Sequence, residues 1–143
     1  MQTGRTSGCW WLWVEGQVTP EIHARIVATI QEWASSTTPS CMLFVARDTN
    51  SPTPQQRREL AEAVLSARRR DHLRGFALVT DSPIIRGALT AVGWIVGPTM
   101  PYAAFATPAD ALVWLREHHD AVDPGAVRDE VRRAIPTAHA LRW

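Results

Sequence analysis

The chain has 143 residues, 45% of them apolar and 20% charged, with 15 basic against 14 acidic side chains for a formal net charge of +1. That suits one ordinary globular domain, able to hide roughly two-thirds of the surface its unfolded chain would expose. The near-balance argues against an acidic disordered tail and against a dedicated nucleic-acid-binding protein.

No apolar run approaches the ~20 residues that cross a bilayer. The first residues also lack the basic and apolar regions of a secretory signal. Two cysteines, Cys9 and Cys41, are too few for a disulfide framework. These features lead to the expectation of a cytoplasmic domain without a transmembrane segment. All 15 basic residues are arginine, which excludes lysine-based chemistry. Seven tryptophans stand against one tyrosine and three phenylalanines, an excess suited to a core or an interface.

In chain order, residues 1–8 are polar and read as a flexible N-terminus. Cys9-Trp10-Trp11-Leu12-Trp13-Val14-Glu15 reads as a strand bounded by glycines. Trp10, Leu12 and Val14 share one face, while Cys9, Trp11 and Trp13 share the other. Both faces are apolar, so each needs a cover.

Five pairs then join a good N-cap to a proline suited to the first helical position: Thr19-Pro20, Thr53-Pro54, Ser82-Pro83, Thr107-Pro108 and Asp123-Pro124. Thr53-Pro54-Gln55-Gln56 also matches a capping box. Apolar residues recur at helical spacing after each pair. Ile22, Ile26, Val27, Ile30 and Trp33 follow Pro20, and a stripe from Leu60 through Ala67 stops near Arg70. Another stripe runs from Ile84 to about Trp94. A short helix follows Pro108, and a fifth spans 124–134, stopped before Pro136. Between them lie continuous apolar runs at 41–46, 75–80 and 102–106, which suit strands covered on both faces. The expected fold is an α/β sandwich of four to five mostly parallel strands, four helices and a C-terminal helical extension at 119–143.

This order resembles that of a STAS or SpoIIAA-like domain over residues 9–118. The resemblance rests on the exit Gly16-Gln17-Val18-Thr19, the strand Phe76-Ala77-Leu78-Val79-Thr80 and the closing Ala109-Asp110-Ala111-Leu112-Val113-Trp114-Leu115. It implies a non-enzymatic regulatory module that docks to a protein partner. Phosphoswitch members carry Asp-Ser-(Ser/Thr)-Gly after a buried strand. Here that stretch is Arg47-Asp48-Thr49-Asn50-Ser51-Pro52-Thr53, so no phosphorylation role carries over to Thr49 or Ser51.

The residues themselves carry no catalytic motif. There is no Cys-x-x-Cys or His-x-x-x-His for a metal, no phosphate-binding glycine loop and no Gly-x-Ser-x-Gly elbow. No metal or cofactor is therefore expected. His118-His119 reads as a charge complement to a helix C-terminus.

Two loops beyond strand ends, Asp48-Thr49-Asn50-Ser51 and Thr80-Asp81-Ser82, lead into helix N-termini, where an anion or partner can dock. Asp48, Thr49, Ser51, Thr80, Asp81 and Ser82 are the candidates. Capping and turn formation are the plainer reading, and both aspartates would repel a bare anion. Arg57, Arg58, Arg68, Arg69, Arg70 and Arg74 form a basic cluster. Its plain reading is a solvated helix face; the alternative, centred on Arg68, Arg69, Arg70 and Arg74, is contact with an acidic partner or an anionic lipid. No aromatic residues are interleaved for base stacking, so nucleic acid is not expected.

Trp11 and Trp13 are candidates for self-association as a homodimer. Alternatively Ala126, Val127, Val131, Ile135 and Trp143 fold the C-terminal segment over them. A second functional reading is a carrier for a small apolar or lipid-like molecule, with Gly87 and Gly93 leaving room beside the sheet.

Overall fold

The aromatic ribbon Cys9–Glu15 (β2) sits inside a five-stranded sheet and is buried along its length except at Glu15. The computed structural model describes residues 1–98 and 100–143. Strands β1 (Gln2–Thr6), β2, β3 (Ser40–Arg47), β4 (Leu73–Val79) and β5 (Tyr102–Phe105) lie side by side in chain order. β1 is antiparallel to β2, and the other neighbours are parallel.

Because the parallel strands advance in one direction, right-handed crossovers place their connecting helices on one face. These are α1 (Pro20–Ser35), α2 (Pro54–Leu65) and α3 (Pro83–Val96). They cover Trp10, Leu12, Val14, Met42 and Phe76. The opposite face is covered by α4 (Pro108–His118), α5 (Pro124–Ala134) and a 3-10 turn at Pro136–Ala140.

Each expected cap forms. The side chains of Thr19, Thr53, Ser82, Thr107 and Asp123 accept bonds from amides in the first helical turn, and the Thr53–Gln56 capping box is reciprocal. Each such cap contributes about 1 kcal/mol. Inside the α1 layer, the fully buried Trp33 donates its indole N–H to Ser40 Oγ at 3.1 Å. The buried His23 meets Glu59 at 2.7 Å, tying α1 to α2.

Three expectations need correction. Residues 1–8 are not loose, because Gln2–Thr6 form a strand on the edge of β2. Ser7 and Gly8 both take positive φ, 47° and 69°, the geometry of a tight two-residue hairpin. Gly4 lies against the Trp11 indole, where an added Cβ would come within 2.5 Å of the ring. The Arg5 guanidinium sits 4.8 Å from the centre of the Trp10 ring. This strand is polar because it lies at the sheet edge, so an apolar pattern could not reveal it.

Second, α2 stops at Leu65 rather than near Arg70. Ser66 Oγ donates to the Ala63 carbonyl at 2.6 Å, and the chain leaves the helix there.

Third, Trp11 and Trp13 are not a surface for self-association, being only 4% and 3% exposed. The C-terminal segment lies over them through Val122, Val127, Val131, Ile135 and Ala138, with Trp143 packed alongside. The Trp11 indole donates to Glu130 Oε1 at 3.1 Å. A buried indole removes ~150–250 Å² from water, worth at most roughly 4–6 kcal/mol, so covering this face is a large term.

Replacing Ile135 by Ala should therefore lower unfolding free energy by about 2–5 kcal/mol in a denaturant titration. A second test concerns Glu15, which accepts from Thr137 Oγ1 at 2.8 Å and so pins the end of the C-terminal segment. The Thr137 bond chiefly, then the Trp13 indole and the Arg47 charge, hold its carboxyl below the ordinary 4.5, against a desolvation cost. A folded pKa below the unfolded one stabilises above the ordinary carboxylate pKa and loses that effect as pH falls through the folded value. Glu15→Gln should lower the denaturation midpoint at neutral pH, and the gap from wild type should close on acidification.

Candidate functional site

The two strand-end loops lie at the same edge of the sheet, since β3 and β4 are neighbours. Their polar groups work largely within the chain. Thr80 is buried, and its hydroxyl accepts from the Ser82 amide at 3.2 Å, while Ser82 Oγ accepts from the Ile85 amide at 3.3 Å. Asn50 Oδ1 accepts from the Val18 amide at 2.7 Å, fastening the loop to the exit of β2. Asp48 is exposed and holds a positive φ of 51°. Thr49 is half-buried, whereas Ser51 and Asp81 are exposed. The crossover helices of these strands all lie on one face, so the parallel strands lack the order reversal that opens a crevice in doubly wound folds.

Beneath the loops is an apolar cavity of about 110 Å³ between the sheet and α1, α2 and α3. Val14, Ile26, Phe44, Leu60, Leu89 and Val92 are among its walls, while His23, Thr49, Asn50 and Gln56 lie along its polar margin. An engineered apolar cavity of ~150 Å³ stays dry and takes up benzene, so this space is on the scale of a small hydrocarbon. The two glycines thought to leave room behave differently. Gly93 lines the cavity, but the Tyr102 ring lies where its side chain would project. Gly87 faces outward with open space beside it.

Helix α3 also presents its outer side to solvent. Ile84 is 70%, Trp94 79% and Ile95 45% exposed, and Arg86 is the only charged residue in the helix. Sequence periodicity assigned Ile84 to the buried stripe. The available signal was that α3 is apolar nearly all round, a composition that leaves greasy side chains on whichever side lacks a neighbour.

The basic cluster is divided by α2, whose 12 residues span about 18 Å. Arg57 and Arg58 lie near its start, and Arg57 donates to the Pro52 carbonyl. Arg68, Arg69, Arg70 and Arg74 lie beyond its end. Arg70 donates to the Leu65 carbonyl at 3.4 Å, and Arg69 makes two bonds to Asp71 at 3.0 and 3.3 Å. His118 Nδ1 donates to the Trp114 carbonyl at 2.8 Å, at the C-terminal turn of α4.

Cys9 and Cys41 face each other in register on β2 and β3. Burial drives the Cys9 thiol far above its ordinary range and pushes Cys41 up to about 12, the latter opposed by the Arg74 charge. Among the described residues, no group of three or more His, Cys, Asp or Glu side chains is placed to hold a metal ion. No helix among them is long and apolar enough to cross a membrane.

The family model SpoIIAA-like matches residues 10–116, most of the chain, and the chain belongs to that family. Domains of this family are in general non-catalytic regulatory and protein-interaction modules. No curated protein matches the sequence.

The thiols provide a direct check of the buried layer. Ellman's reagent at mildly alkaline pH should leave both cysteines unmodified in the folded protein and titrate two thiols after denaturation. Rapid labelling without denaturant would contradict the burial of this face.

Proposed function

We propose that this protein is a non-catalytic regulatory module that works by docking to a protein partner. The observation that carries the proposal is the outer side of α3. Ile84 and Trp94 stand largely in solvent on a helix with one charge, in a domain whose other long apolar elements are covered. Large exposed aromatic and aliphatic side chains of this kind anchor protein interfaces, where a few such residues carry most of the binding energy. The SpoIIAA-like family membership supports the same reading.

A second reading is a carrier for a small apolar molecule, favoured by the cavity on the inner side of the same helix. The two readings are compatible in one respect. α3 lines the cavity with Ile85, Leu89 and Val92 while presenting Ile84 and Trp94 outward. A ligand that displaced α3 would thereby alter the docking surface.

The docking reading is tested with the double variant Ile84→Ser, Trp94→Ser. Both positions are exposed, so stability should change little. In quantitative affinity capture, a specific interactor should be recovered with wild type and fall at least tenfold with the variant; equal recovery would overturn the reading. Native mass spectrometry of protein purified gently from cells tests the carrier reading. A retained small molecule that disappears in Ala88→Leu, where the added side chain fills the cavity, supports it, and a bare wild-type mass overturns it.

A further inference from the structure

At the opposite end of the sheet, below the C-termini of α1 and α2, lies a cleft of about 620 Å³. Ser36 and Thr37 from the α1 exit form one wall, and Arg68 and Arg69 from the α2 exit form another. Arg74 and His72 close it from the start of β4. We infer that this cleft binds a phosphate-bearing anion.

Basic side chains beyond a helix C-terminus are ordinarily explained by the helix dipole and by free carbonyls. Arg70 fits that account, since it caps the Leu65 carbonyl and does not line the cleft. Arg69 is held by Asp71. Arg68 and Arg74 fit neither account. Among the described residues, neither pairs with a carboxylate, yet both line the cleft from different segments.

The placement of Arg74 is a separate observation. Ser40 pairs with Leu73 and Cys41 with Gly75, so Arg74 is an extra residue in a β-bulge. A bulge breaks the ladder locally and re-aims one side chain, and here that side chain joins the rim of the cleft. His72 forms part of the lining while its Nε2 donates to the Ala34 carbonyl at 2.9 Å, fixing the ring against the end of α1.

The charge balance sets the ligand class. Arg68, Arg69 and Arg74 face one carboxylate, Asp71, an excess of two positive charges that the roughly −0.5 charge at each of the α1 and α2 C-termini reduces but does not cancel. A cleft that stays positive suits a phosphate, whose oxygens accept the forked guanidinium donors. The phosphate could be carried by a free metabolite or by a lipid headgroup; both present the same oxygens to the cleft.

The test uses the full chain labelled with ¹⁵N and titrated with inorganic pyrophosphate. Amide shifts should cluster at Arg68, His72 and Arg74. Binding should weaken at least tenfold in Arg68→Gln, Arg74→Gln and stay unchanged in Arg57→Gln, Arg58→Gln, whose side chains lie near the other end of α2. Flotation with phosphatidylcholine vesicles, with and without phosphatidic acid, separates the sources. Retention on phosphatidic acid that pyrophosphate reverses assigns the cleft to a headgroup, and pyrophosphate binding without retention assigns it to a soluble phosphate. Absence of binding to both probes overturns the inference, as does any binding that the Arg68, Arg74 variant leaves intact.

Discussion

An apolar ribbon with tryptophans on both sides cannot remain half-covered in water, and the burial of β2 organises the molecule around that constraint. Trp10, Leu12 and Val14 are covered by the helices that connect the parallel strands. Cys9, Trp11 and Trp13 are covered by α4, α5 and the closing turn. The hydrogen bond from Trp11 to Glu130 and that from Thr137 to Glu15 join positions 119 and 122 residues apart. The C-terminal segment is therefore part of the same core as the first strands, even though the family match ends at residue 116.

With both faces of the sheet covered, binding capacity falls to what the covering layers leave open. One feature is the two-sided helix α3, apolar towards the cavity and apolar towards solvent. Its outer side is available because α3 flanks the layer, with α2 on one side and no further crossover helix beyond it. The other is the arginine-lined cleft at the far end of the sheet, where the α2 exit and the β4 bulge converge. One site suits apolar contact and the other charge. They stand at different parts of the domain, so a partner and an anion would not compete for the same atoms.

Much of this architecture was legible residue by residue. The five cap-and-proline pairs begin the five α-helices, and the greasy runs at 9–15, 41–46, 75–80 and 102–106 correspond closely to β2 to β5. Less of the candidate sites could be read. Thr80 and Ser82 bond to nearby backbone, as their sequence context allowed. The basic cluster looked continuous in sequence, but an intervening helix holds its two parts apart. The exposed Ile84 and the buried Ile85 are adjacent in the chain and chemically alike; only the neighbouring layer distinguishes them.

Sequence alone determined where helices start, which apolar segments are strands and that both faces of the Trp-rich strand need cover. Those properties arise from contacts within a turn or between alternating side chains, so a short window contains their cause. Tertiary structure decided that the polar residues Gln2–Thr6 pair at the edge, that the C-terminal segment shields Trp11 and Trp13, and that Arg68 and Arg74 meet across a cleft. Those outcomes depend on which distant segment occupies a given face. Many apolar or charged partners satisfy such a demand equally well in sequence, and only packing selects one.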